Sequence, residues 1–129
     1  MKSLKFSFHK FIKSFSYAFT GVREVFRKEQ NFKVHTLMGA IALGLGWFFH
    51  ISGIEWCFLA VVISLVLASE MLNTAIENLC DVAEPNQNET IRIVKDISAG
   101  MVLICALGAL SVGIVIFLPK VYHFLVQLF

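Results

Sequence analysis

Four polar side chains fall on one stripe of an otherwise apolar stretch: Glu70, Asn73, Glu77 and Asp81, at i, i+3, i+7 and i+11. On a helix these offsets lie within roughly 80° of one another along about 16 Å. The preceding segment 56–69 contains no Asp, Glu, Lys or Arg. Taken alone it would reach only about 21 Å as a helix, too short to cross a bilayer core of about 30 Å. A spanning helix must therefore run on through Glu70 and Asn73 to Ile76, which sinks Glu70 about 9 Å below the hydrocarbon edge. A carboxylate at such depth costs about 3 kcal/mol or more and faces a protein interior or a wet cavity. Those surroundings tune a carboxyl group for general-base work near neutral pH. Glu77, at the edge, and Asp81, in water, suit a hard cation, whose ligands are carboxylate oxygens. Either one alone would be ordinary interfacial decoration. Asn73 by itself would serve as helix glue, but Glu70 adds a cost that helix packing does not require.

The elements that must carry this stripe are written in the composition. Hydrophobic residues make up 57% of the 129-residue chain and mean hydropathy is +0.75, against about 45–50% apolar residues in soluble domains. Two further runs, 34–54 and 97–118, are free of Asp, Glu, Lys and Arg, and each would span about 31–33 Å as a helix. The expected architecture is an all-α integral membrane protein. One domain, 1–129, comprises an N-terminal surface region (1–31) and transmembrane helices over 34–54, 55–79 and 97–118.

Residues 1–35 hold eight basic and two acidic side chains, +6, whereas the remainder holds three basic and seven acidic, −4. The positive-inside rule then puts the N-terminus and the 78–96 connection in the cytoplasm and the 50–55 turn outside. Trp47 and Trp56 flank that outer turn as interfacial anchors. In the N-terminal region Phe8, Phe11, Ile12, Phe15, Phe19, Val22 and Phe26 recur within an arc of roughly 100°, opposite Lys10, Lys13 and Arg27. This pattern is a basic amphipathic helix suited to lie in the inner membrane surface. Small pairs Ala42/Gly46 and Ala109/Gly113 permit close helix packing within and between subunits. Segment 82–89, with Pro85, reads as a polar loop, and the apolar tail after Pro119 reads as lying at the outer interface.

Three separated cysteines, Cys57, Cys80 and Cys105, suggest neither a disulfide framework nor a zinc site. No short apolar run with a cleavage site stands at the N-terminus, so that segment is expected to be retained. Glu29 ends the amphipathic helix on the level of Glu77 and can complete a magnesium site, since Mg²⁺ takes one or two carboxylates plus phosphate oxygens and water. Lys95, followed by Asp96, opens the last span at that level and is placed to meet phosphate charge. No Walker-type glycine loop is present, and no nucleic-acid partner is expected.

The run Glu70-Met71-Leu72-Asn73-Thr74-Ala75-Ile76-Glu77, followed by Asp81 and by Lys95-Asp96, resembles the signature of the prokaryotic diacylglycerol kinase family. Tyr17 and Gly21 in the amphipathic start, the Glu29-x-x-Phe32 step and the three spans extend the resemblance over nearly the whole chain. It implies a homotrimeric lipid kinase in the bacterial cytoplasmic membrane, using ATP and Mg²⁺, with active sites between subunits at the cytoplasmic surface. It further implies Glu70 as the base that takes the lipid hydroxyl proton and Asn73 as its polar support. By the same likeness Glu29 and Glu77 are magnesium ligands. Lys10, Tyr17, Lys95 and Asp96 contact the nucleotide, and the loop of Asn86, Gln87 and Asn88 lies nearby. Lys10 stands where some members carry arginine.

One branch of the family phosphorylates diacylglycerol and the other undecaprenol. Ala18 and His35 stand where the diacylglycerol branch tends to carry Ser and Glu. The step Asn31-Phe32-Lys33-Val34-His35 and Phe117-Leu118-Pro119-Lys120 resemble the undecaprenol branch. Two other classes compete. An ion or proton conductor would use Glu70, Glu77 and Asp81 as a relay, but residues 56–67 offer no ionisable group to complete the path. A structural membrane subunit would tolerate neutral replacements at Glu29, Glu70 and Glu77 together.

Overall fold

The computed structural model describes residues 7–86 and 88–128. Four helices follow one another: α1 (Phe8–Lys28), α2 (Gln30–Phe48), α3 (Gly53–Ala83) and α4 (Glu89–Leu128). α4 packs chiefly on α3, α2 lies on α3, and α1 touches α2 and α3 more lightly. Residues 1–6 of the expected surface region, and Gln87, lie outside the described residues.

α3 and α4 are long and apolar enough to cross a membrane. Most of their apolar side chains face outward, Ile104 at 73% and Val115 at 75% exposure among them. That inside-out distribution is what a lipid solvent permits and water does not. The interior of the single chain is correspondingly thin, centred on Ile51, Leu59 and Ile116. α2, at 19 residues, measures about 29 Å, close to one bilayer core.

The uncharged run 34–54 is not one helix. α2 stops at Phe48. His50 takes φ +50°, and the His50 and Ile51 amides donate back to the Trp47 and Gly46 carbonyls at 3.2 and 3.1 Å. This is the Schellman closure, with histidine in the left-handed position that glycine usually fills, at a cost of about 1 kcal/mol. Ser52 then opens α3 through a capping box. The Glu55 amide donates to Ser52 Oγ (3.3 Å) and the Ser52 amide donates to Glu55 Oε2 (2.7 Å). Gly46 is required at this corner, because a Cβ there would sit 2.9 Å from the Trp56 ring and 3.0 Å from Ile51.

Pro119 does not end the last helix either. α4 continues through it to Leu128, although proline removes one backbone donor. Tertiary contacts hold the extension: Lys120 Nζ donates to Glu55 Oε1 at 2.6 Å. Phe124 packs edge-on against Phe48 and Phe49, with centroids 5.7 and 6.1 Å apart. The expected separate tail is thus the last two turns of α4, fastened to the α2–α3 turn.

The small residues divide their roles. Gly39 and Gly46 on α2 bring it against Ile63 and Trp56 of α3, whereas Gly100, Gly108 and Gly113 of α4 meet nothing within 4 Å. At the α1–α2 corner a single extended residue, Glu29 (φ −95°, ψ 119°), caps one helix and opens the next. Phe26 and buried Phe32 cross it edge-on at 6.3 Å, and Lys33 Nζ donates to the Arg27 carbonyl at 3.0 Å.

Candidate active site

Glu70 is the decisive residue of α3. It is 3% exposed, so the expectation that it faces the protein interior holds. Its carboxylate meets α2, with His35 Nε2 3.2 Å from Glu70 Oε1. The Glu70 carbonyl accepts from Thr74 Oγ1 at 3.0 Å, a bond along the same buried face. Glu77 stands two turns further along α3 from Glu70, and Glu29 stands at the α1–α2 corner.

Asn73 does not touch Glu70 by any hydrogen bond among the described residues. Its Nδ2 donates to Glu77 Oε1 at 3.1 Å, and its Oδ1 accepts from Ser98 Oγ at 2.6 Å. Its position explains this: Asn73 and Glu77 are one helical turn apart on the same face, and Ser98 enters from α4. Asn73 therefore supports Glu77 and ties α3 to α4, rather than holding Glu70 directly. Ser98 is buried and was not among the residues expected at the site. Its only sequence signal was a small hydroxyl three positions beyond Lys95.

Lys95 and Asp96 are present at the same end but already engaged. Lys95 Nζ pairs with Asp81 Oδ1 at 2.5 Å, joining the ends of α3 and α4. Lys95 precedes the apolar run, and the Asp81 carboxylate holds its ammonium above the ordinary lysine range, so it carries a full charge at any physiological pH. Asp96 Oδ2 accepts from Arg92, which also pairs with Glu89, both at 2.6 Å. Asn88 caps α4, its Oδ1 accepting from the Ile91 amide at 3.0 Å. Asn86 lies in the turn before it, its amide donating to Glu84. Gln87 lies outside the described residues.

Lys10 and Tyr17 stand apart on exposed turns of α1. Lys13 Nζ lies 5.9 Å from the Tyr17 ring centroid. Lys10 lies about 28 Å, and Tyr17 about 18 Å, along the helix from Glu29. Within one chain they do not join the carboxylates.

Two features complete the geometry. No cluster of three His, Cys, Asp or Glu side chains that could hold a metal exists among the described residues. An apolar groove of about 660 Å³ runs between α2, α3 and α4, from Val34 and His35 past Met38, Leu59 and Val66 to Val121. His35 is thus both a wall of the groove and the neighbour of Glu70. Glu70 does not line the groove itself; it lies behind His35, 3.2 Å from that imidazole, and a groove so apolar suits a ligand that is mostly hydrocarbon.

Comparison with known proteins identifies the family. The family model described as prokaryotic diacylglycerol kinase matches residues 16–117. Undecaprenol kinase of Bacillus subtilis (strain 168) is 35% identical over 112 residues, covering 87% of this chain and 91% of the relative. Diacylglycerol kinase of Synechocystis sp. (strain ATCC 27184 / PCC 6803 / Kazusa) is 35% identical over 114 residues, 88% of this chain and 65% of the relative. Diacylglycerol kinase of Haemophilus influenzae (strain ATCC 51907 / DSM 11121 / KW20 / Rd) is 29% identical over 108 residues, 82% of this chain and 92% of the relative. With its buried Glu70, its Glu77 and a matched segment spanning most of its length, the chain belongs to the prokaryotic diacylglycerol kinase family of lipid kinases.

Proposed function

We propose that this protein transfers the γ-phosphoryl group of ATP to undecaprenol in the bacterial cytoplasmic membrane. The observation that carries the reading is Glu70: a buried carboxylate 3.2 Å from His35, and His35 lines an apolar groove. In the reaction the lipid hydroxyl gives its proton to the Glu70 carboxylate as its oxygen bonds to the γ-phosphorus. The bond from that phosphorus to the β-phosphate bridging oxygen breaks, and ADP leaves with the electron pair. The groove binds the hydrocarbon and excludes water, so the hydroxyl is held near the base.

Glu29 and Glu77 would hold the magnesium, since both are hard oxygen donors and Glu77 is oriented by Asn73 Nδ2 at 3.1 Å. Two carboxylates with phosphate oxygens and water make the usual Mg²⁺ set. When bound, the cation supplies charge neutralisation on the phosphoryl oxygens. Asn73 and Ser98 hold Glu77 in place from α3 and α4. Lys95 and Asp96 border the nucleotide, Lys95 exchanging Asp81 for phosphate, and the 86–88 loop lies alongside.

The distance of Lys10 and Tyr17 from the carboxylates supports a homotrimer in which α1 of one subunit serves the site of another. Gly100 and Gly108 of α4, which meet nothing within 4 Å, offer room for a neighbouring helix. In this reading α2, α3 and α4 all cross the membrane, with the carboxylate end cytoplasmic. α1 lies in the inner surface, consistent with its exposed Phe8, Phe15 and Phe19.

Undecaprenol is supported by the likeness to the Bacillus relative, nearly all of whose length is covered, together with His35. The equal identity to the Synechocystis relative favours diacylglycerol as the second reading. Purified protein given radiolabelled ATP and both lipids side by side tests the choice. Label moving chiefly to undecaprenol is expected, and label moving chiefly to diacylglycerol selects the second reading.

A further inference from the structure

His35 approaches Glu70 where α2 packs on α3. One turn further along the same face of α2 stands Gly39, where a Cβ would come within 3.2 Å of Ile63. That approach lets an imidazole on α2 reach a carboxylate on α3, Nε2 to Oε1 at 3.2 Å. An ionised carboxylate only accepts hydrogen bonds. Of the two facing atoms, His35 Nε2 is thus the one able to donate to an ionised Glu70. No other side chain among the described residues pairs with the Glu70 carboxylate. His35 also lines the groove, with its side chain 27% exposed.

We propose that His35 is a positioning residue for the base: its Nε2–H holds Glu70 Oε1 and leaves Oε2 to accept the proton of the lipid hydroxyl. The inference rests on the lipid-kinase reading and adds to it a group on α2. His35 forms no bond to phosphorus and need not change its protonation state. What matters is a donor at the place of Nε2. Glutamine supplies such a donor on a side chain of similar reach and cannot titrate, whereas leucine fills the space and donates nothing.

The test compares His35→Gln and His35→Leu in the full-length protein with ATP, Mg²⁺ and the lipid that the wild type accepts. His35→Leu is expected to lose about ten- to hundredfold in kcat with KM for ATP unchanged, because misdirecting a reacting group costs that much. His35→Gln is expected to keep kcat within about threefold and to retain the wild-type pH profile, since the donor is preserved. Should His35→Leu fail to fold, His35→Ala with added imidazole carries the same test, and recovery of kcat is expected. Undiminished kcat in His35→Leu, His35→Gln as impaired as His35→Leu, or no imidazole rescue would each overturn the proposal while leaving the kinase reading intact. A wild-type protein that phosphorylates no lipid overturns both.

Discussion

Glu55 and Glu70 lie on the same helix, and their surroundings could hardly differ more. Glu55 closes the α2–α3 end. One oxygen accepts from the Ser52 amide at 2.7 Å and the other from Lys120 at 2.6 Å. Every contact it makes caps a helix or fastens one helix to another, around the aromatic side chains Phe48, Phe49, Phe117 and Phe124. Glu70 caps nothing. It is buried in mid-helix, where the backbone is already satisfied, and its side chain meets one imidazole. Removing a capping group from α3 would weaken the helix start. Removing Glu70 would relieve a burial cost. A buried carboxylate from which folding gains nothing is what the proposed base at Glu70 requires, so in this proposal the two ends of the bundle separate fastening from function.

Substitutions at the two ends should therefore fail in different ways. Neutralising the base has the largest expected effect: Glu70→Gln should lower kcat by about 10²–10⁴-fold, the range for general-base removal. Its thermal stability in detergent should be unchanged or higher. Glu77→Gln should cost about a hundredfold at ordinary Mg²⁺ and recover in part as Mg²⁺ is raised, which a titration of rate against Mg²⁺ reads directly. An unshifted Mg²⁺ dependence would remove Glu77 from the cation site. Asn73→Leu should cost about tenfold, because Glu77 and Ser98 lose their shared partner while the carboxylates themselves remain. At the opposite end Gly46→Val should cost about 1–3 kcal/mol of stability by overpacking against Trp56 and Ile51. A thermal melt should register it, with turnover at permissive temperature near wild type.

The carboxylate stripe was legible because its signal is local: spacing on one helix, and depth counted from an apolar run. What crossed between helices was not. His35 reads in the sequence only as a branch marker, since its contact with Glu70 spans α2 and α3. The Asn73–Ser98 bond and the Lys95–Asp81 pair likewise depend on how α4 returns along α3. The turn at 50–55 was legible, but the span drawn to residue 54 overran it; Ser52-x-x-Glu55, a capping-box pattern, marks the true start of α3. Pro119 misled for the opposite reason. Its local preference to end a helix is overridden by Lys120 and Phe124, whose partners are more than sixty residues away in sequence. Asn88 appears loop-like by composition and serves as a helix cap, which is the same hydrogen-bonding chemistry used in a different place.

The most direct test sets Glu70→Gln beside Glu55→Gln in one assay of γ-phosphate transfer from ATP to lipid, with each variant confirmed to assemble like the wild type. The account predicts that Glu70→Gln binds nucleotide yet transfers almost no phosphate, while Glu55→Gln turns over within about twofold of wild type, as expected of a change remote from the site. Normal transfer by Glu70→Gln, or equal impairment of the two variants, would contradict it.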